Sequence, residues 1–180
     1  MGRQLRVFAV TVAALLALGV LAGLAWSWVS PRPPYIETQR GPLLADPTTQ
    51  ALIAADGWFA VITGVLALAS GLIAWRYTRR DGLGAVLGLF LGGSAASLVT
   101  YWVGTRFTLG AATIAAAAPG LDIVAGPLDL TARGVLVTWP FLALGVYAAI
   151  EGVLAYRRSP MRKPYGEPGI TGLDGGSRTL

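Results

Sequence analysis

Four apolar runs of near-bilayer length alternate with polar segments along the chain, and this alternation predicts its elements. The runs cover about 7–29, 58–75, 83–104 and 132–156. A spanning helix needs roughly 20 predominantly apolar residues, so each run is long enough to cross a bilayer. The first follows Arg3 and Arg6. A basic start before an apolar run also suits a secretory signal peptide. This run is longer than a usual signal core, however, and Trp26, Ser27 and Trp28 offer no small-residue cleavage site. It reads as an uncleaved helix, with Trp26 and Trp28 at headgroup level on the outer interface.

The third run organises the rest. Every fourth residue is small (Gly84, Gly88, Gly92, Ala96, Thr100, Gly104), with Gly93 and Ser97 alongside and no charge between. In water each glycine costs a helix about 1 kcal/mol relative to alanine. In lipid, small residues four apart let two backbones pack closely. Steps of four at 3.6 residues per turn advance the stripe by roughly 40° each, so five steps carry it about half-way round the helix. The expectation is that Gly84, Gly88 and Gly92 face one neighbour, and Ala96, Thr100 and Gly104 another. Gly19 with Gly23, Ala60 with Gly64, and Ala67 with Gly71 repeat the spacing on the first and second spans.

The polar segments complete the outline. In loop 30–57, Pro31, Pro33 and Pro34 stop the first helix and impose an extended start, and a weakly helical run lies near 48–54. This loop reads as a connector lying on the bundle, with room for a lid or binding segment. Asp56 is placed to cap the second span, accepting from its unpaired N–H groups. Arg76, Arg79 and Arg80 close that span, and Asp81–Gly82 turns directly into the third, which predicts an antiparallel hairpin. In loop 105–131, the apolar stretch 107–118 is too short to span and suits an interfacial or re-entrant helix ended by Pro119–Gly120. Pro140 removes a backbone donor and frees the carbonyl of Leu136, so a kink is expected within the fourth span. Glu151, near the end of that span, opposes the helix dipole, which calls for a cationic partner in Arg76 or the Arg157–Arg158 pair. The tail 157–180 carries three prolines and five glycines and reads as disordered and cytoplasmic.

Composition agrees with this class. Of 180 residues, 54% are hydrophobic and 13% charged, against about 25% charged in a soluble domain. The net charge of +5 does not indicate nucleic acid, because the basic residues flank the spans. With the N-terminus inside, ten of the 14 Lys and Arg are cytoplasmic and four (Arg32, Arg40, Arg106, Arg133) are outside. The positive-inside bias thus predicts an all-α, four-span antiparallel bundle in the plasma membrane, with both termini cytoplasmic.

Chemistry is sparse. Zero Cys and zero His remove thiol catalysis, disulfides and the commonest general base and metal ligand. No phosphate-cradling glycine motif, nucleophile elbow, proton-relay acid pair or metal-ligand loop occurs, so no catalytic, cofactor-binding or metal residue is assigned. Charges do gather at the outer helix ends, where Asp56, Arg106, Asp129 and Arg133 accompany Trp58 and Trp102. A cation in a helix's first turn is disfavoured, so Arg133 calls for compensation by Asp129, Asp122 or Asp56. This cluster reads either as a structural salt-bridge group or as an outward-facing anion or headgroup site using Arg106 and Arg133.

Several local patterns carry a resemblance: Ile53-Ala54-Ala55-Asp56-Gly57-Trp58-Phe59, Trp75-Arg76…Arg79-Arg80, Gly92-Gly93…Val103-Gly104, and Gly134-Val135-Leu136…Trp139-Pro140. Over roughly 7–156, the chain resembles small four-span actinobacterial membrane proteins grouped as a domain of unknown function. The resemblance implies a high-GC actinobacterial source and a plasma-membrane location, and no activity or site. The expected function is a non-enzymatic scaffold or accessory subunit pairing with another membrane protein or with itself. The alternative is a small-molecule or lipid carrier with an outward-facing cavity, and a lipid-directed enzyme comes third.

Overall fold

A computed structural model of the protein describes residues 2–38, 41–45, 49–78, 82–107 and 123–159. These residues are mostly helical, and four helices are long and apolar enough to cross a membrane. They are α1 (Gly2–Val29), α2 (Ala51–Thr78), α3 (Gly82–Arg106), and a 3-10 turn (Arg133–Val137) that leads into α4 (Thr138–Arg158). Three short strands, β1 (Pro34–Thr38), β2 (Gly41–Leu44) and β3 (Ile123–Ala125), form a sheet in the order β2-β1-β3. They are short additions in the connecting segments of a mostly helical chain. The pairs are antiparallel, with Tyr35 opposite both Leu44 and Val124, so segments from either side of α2 and α3 share one sheet. The expected helix at 107–118 and the tail beyond Ser159 fall outside the described residues, apart from Phe107.

Glycine sets how closely the helices approach. A Cβ on Gly84 would lie 2.6 Å from the carbonyl oxygen of Gln4, one on Gly88 3.0 Å from Thr11, and one on Gly92 2.9 Å from Leu15. Further along the two helices, the small side changes hands. A Cβ on Gly19 would lie 2.8 Å from the Ala96 carbonyl oxygen, and one on Gly23 2.7 Å from the Val103 Cβ. Thr100 Oγ1 donates to the carbonyl of Gly19 at 3.0 Å, and Gly104 lies against the six-membered ring of Trp26. The whole stripe therefore packs on α1, and the expected second partner for its later half is corrected. The drift of roughly 40° per step separates the halves only for a straight, parallel neighbour. A neighbour inclined along the row of every fourth residue stays with it. Here α1 also supplies its own glycines where α3 carries Ala96, Thr100 and Val103.

The second close pair is α2 with α4. A Cβ on Gly71 would lie 2.5 Å from the Ala143 carbonyl oxygen and 3.1 Å from the Val146 Cβ. Gly64 is looser, its nearest neighbour being a Leu142 methyl at 3.6 Å. Gly93 of α3 sits against the backbone of Pro140. Pro140 itself lies in the first turn of α4 rather than mid-helix, because the chain runs as a 3-10 turn as far as Val137. A first-turn proline removes an N–H that has no helical partner, so the expected kink becomes a helix start. Leu15, Ala67, Leu89, Ala96, Trp139 and Ala143 form the main core, all buried.

Candidate functional site

At the end where α1 stops and α2 starts, a second core gathers Trp26, Ala55, Phe59, Leu128 and Leu130. Trp26 is fully buried rather than exposed at the helix end. Its Nε1–H donates to the Ala55 carbonyl at 2.9 Å, and its ring meets Phe59 edge-on at 5.1 Å. Trp28, two residues on, is 71% exposed. The difference is one of helix phase. Trp26 continues the row that packs on Gly104, and Trp28 is turned roughly 200° away from it.

The polar groups lie over this core. Asp56 does not cap α2, which begins five residues earlier at Ala51, whose N–H is 3.3 Å from the Thr49 hydroxyl. The weakly helical run before Asp56 is continuous with the span. The carboxylate instead accepts the N–H of Thr131 at 3.0 Å and of Ala132 at 2.9 Å, tying α2 to the segment that enters the 3-10 turn. Asp129 accepts the Tyr101 hydroxyl at 2.7 Å and the N–H of Leu130 at 2.8 Å. Leu128 and Leu130, pointing inward on either side of Asp129, bury the loop while its carboxylate faces Tyr101.

The arginines form no ion pair with these acids. Arg133 is exposed and no ion pair joins it to Asp56 or Asp129, while Asp122, the third expected partner, lies outside the described residues. Arg106 is also exposed, its guanidinium 5.9 Å from the centre of the Trp102 ring. By helical phase it lies roughly 140° round α3 from Tyr101. The structure thus brings Asp56 and Asp129 to one loop, with Arg133 beside it, and leaves Arg106 out. Glu151 is half-buried, and no ion pair joins it to Arg76, Arg157 or Arg158; Arg76 instead lies 5.9 Å from the Tyr77 ring centre.

Comparison with protein families, curated proteins and solved structures finds no match to the chain.

Two features of this end were not singled out from sequence. Tyr101 is the hydroxyl that fixes Asp129, and it sits one position beyond Thr100 in an apolar run. Arg32 is buried, its Nε without a hydrogen-bond partner, beside the equally buried and unpartnered Ser30 hydroxyl. Its setting between Pro31 and Pro33 was the available signal, since prolines hold the chain extended against the bundle. Among the described residues no three His, Cys, Asp or Glu converge. Asp56 and Asp129 each hold N–H or O–H donors of their own chain, which is the chemistry of a structural tie.

Asp56→Ala is expected to cost about 1–2 kcal/mol, allowing for exposure of the two charge-assisted bonds. Asp56→Asn should fall between, because an amide oxygen serves one N–H while its NH2 opposes the other. Reversible unfolding in detergent measures both.

Proposed function

We propose that the protein is a non-enzymatic membrane scaffold or accessory subunit whose docking helix is α4. One observation carries this reading: α4 leaves a small-residue face uncovered. Gly145 and Gly152 have open space where a Cβ would stand, and Ala148 and Ala149 between them are exposed. These residues lie within about 100° of one another round the helix. Such a face allows close approach of a further helix, from another membrane protein or a second copy. The α3 stripe has no such role, because α1 already covers it. The half-buried Glu151 at the margin of this face is available to a cation on the partner.

In this reading the helices alternate in direction and both termini are cytoplasmic in a plasma membrane. Support comes from the ten-to-four distribution of basic residues and from the three-residue link between α2 and α3. An outward-facing carrier draws no support from the Asp56–Asp129 loop, where both carboxylates already hold donors of their own chain. Gly145→Leu with Gly152→Leu is expected to abolish recovery of a stoichiometric partner, or of the dimer, after gentle extraction while leaving the unfolding midpoint unchanged. Undiminished recovery would move the docking face elsewhere.

A further inference from the structure

Between α1 and β1 the chain turns two polar side chains inward. Arg32 is 7% exposed and Ser30 4%. The backbone on either side of them is pinned. The Ser30 N–H donates to the Trp26 carbonyl at 3.0 Å, and the Pro33 carbonyl accepts the Gly126 N–H at 2.8 Å. Pro31 and Pro33 restrict the chain between those two bonds. The segment is thus held against the bundle at both ends.

Both side chains are idle there. Arg32 Nε and Ser30 Oγ have no hydrogen-bond partner, and among the described residues no ion pair or hydrogen bond engages the guanidinium. Asp56 and Asp129, the acids placed at this end, hold other donors. A guanidinium does not shed its proton in a protein, so burial cannot be relieved by neutralisation. A buried charge is tolerated when it is paired, and the partner this one calls for is an anion. Only a small group fits, because 7% of the residue stays accessible. The guanidinium is a planar fork that takes two oxygens of one group side by side. Ser30 is two residues away, at most about 7 Å along the chain, and its hydroxyl can serve a third. A phosphate group offers all three.

We propose that Arg32 and Ser30 form a binding site for a phosphate group. Two sources present that group at this end of the bundle. On the topology proposed above the end is the outer one, open to free phosphate. It also carries the exposed Trp28, Trp58 and Trp102, the ring type that gathers at the level of lipid headgroups. Arg106 and Arg133 are exposed, so water already solvates them and they call for no such partner. The site is independent of the α4 face, and either can fail without the other.

The test is thermal unfolding of the delipidated full chain in neutral detergent, titrated with inorganic phosphate against sodium chloride of equal ionic strength. The wild-type midpoint is expected to rise by about 4 °C once phosphate stands tenfold above its dissociation constant. Ser30→Ala should weaken phosphate about tenfold, the size of one hydrogen bond to a charged group. Arg32→Met should abolish the response and raise the midpoint in phosphate-free buffer, because the unpaired buried charge is gone. Native mass spectrometry with dioleoylphosphatidic acid against dioleoylglycerol, which lacks only the phosphate, reads the lipid source. Retention of the phosphatidic acid that needs Arg32, with no response to inorganic phosphate, assigns the site to a headgroup. A response to inorganic phosphate without that retention assigns it to the free anion. A wild type that answers to neither would overturn the proposal, as would a response that survives both substitutions. So would a lower midpoint of Arg32→Met in phosphate-free buffer, which would mean that the guanidinium already has its partner within the chain.

Discussion

Trp26→Ala is expected to destabilise the protein by about 3 kcal/mol, more than any other aromatic truncation at the capped end. The ring is fully buried, fills the space over Gly104, meets Phe59 edge-on and donates to the Ala55 carbonyl. Truncating a buried tryptophan costs about 3–5 kcal/mol. The lower figure applies here because in lipid the loss is mainly of packing contacts rather than of water-driven burial. Trp26→Phe isolates the hydrogen bond and should cost about 1 kcal/mol beyond the small loss of ring area. Trp28→Ala, at an exposed position, should leave the unfolding midpoint nearly unchanged. Gly104→Ala supplies the coupling test, since its added methyl collides with the Trp26 ring. It should be clearly destabilising in the wild type and nearly neutral once Trp26 is Ala, a non-additivity expected only of groups in direct contact. Reversible denaturant unfolding in micelles reads the four single variants and the double variant.

Gly71→Ala is expected to cost about 2 kcal/mol. Two terms oppose each other. Alanine improves helix propensity by up to about 1 kcal/mol, and the new methyl would stand 2.5 Å from the Ala143 carbonyl oxygen. That oxygen belongs to a helix backbone and cannot rotate away, so α2 and α4 must separate, and forced repacking of this kind costs about 1–3 kcal/mol. Gly145→Ala reverses the sign, because nothing lies within 4 Å of the added methyl and only the propensity term remains. Equal effects of the two substitutions in thermal unfolding would mean that the α2–α4 contact is not set by glycine.

The spans were legible because length and apolar content act locally and twenty residues leave little ambiguity. The third helix's small face was legible for the same reason, since spacing alone defines it. Its partner was not, because that depends on how α1 inclines and on where α1 places Gly19 and Gly23. The sequence assigns Asp56 and Trp26 roles suited to a helix end and Pro140 a kink within a helix, and each acts otherwise. The carboxylate serves N–H groups 75 and 76 residues away, the indole packs into a core that exists only when the loop returns, and the proline starts a helix instead of bending one. The sheet was hidden by its brevity and its prolines. Pro34 opens β1 and Pro42 lies in the edge strand β2, the two places where a strand tolerates the missing donor. At the candidate site, Asp56, Asp129 and Arg133 were recognised as neighbours from charge at helix ends. That Arg106 turns away is a matter of helical phase.

The central claim is that one helix, α1, covers the α3 stripe from end to end, and disulfide trapping tests it most directly in a chain with no native cysteine. A Cβ on Gly88 stands 3.0 Å from the Thr11 Cβ, and one on Gly23 stands 2.7 Å from the Val103 Cβ; a disulfide needs about 3.5–4.5 Å, a small relaxation from either. Thr11→Cys with Gly88→Cys, and Gly23→Cys with Val103→Cys, sample the two halves of the stripe. Mild oxidation in native membranes is expected to close both pairs within one chain. If the first pair closes while Val103→Cys forms its bond only with a cysteine placed on α2 or α4, the stripe has two partners and the account is contradicted.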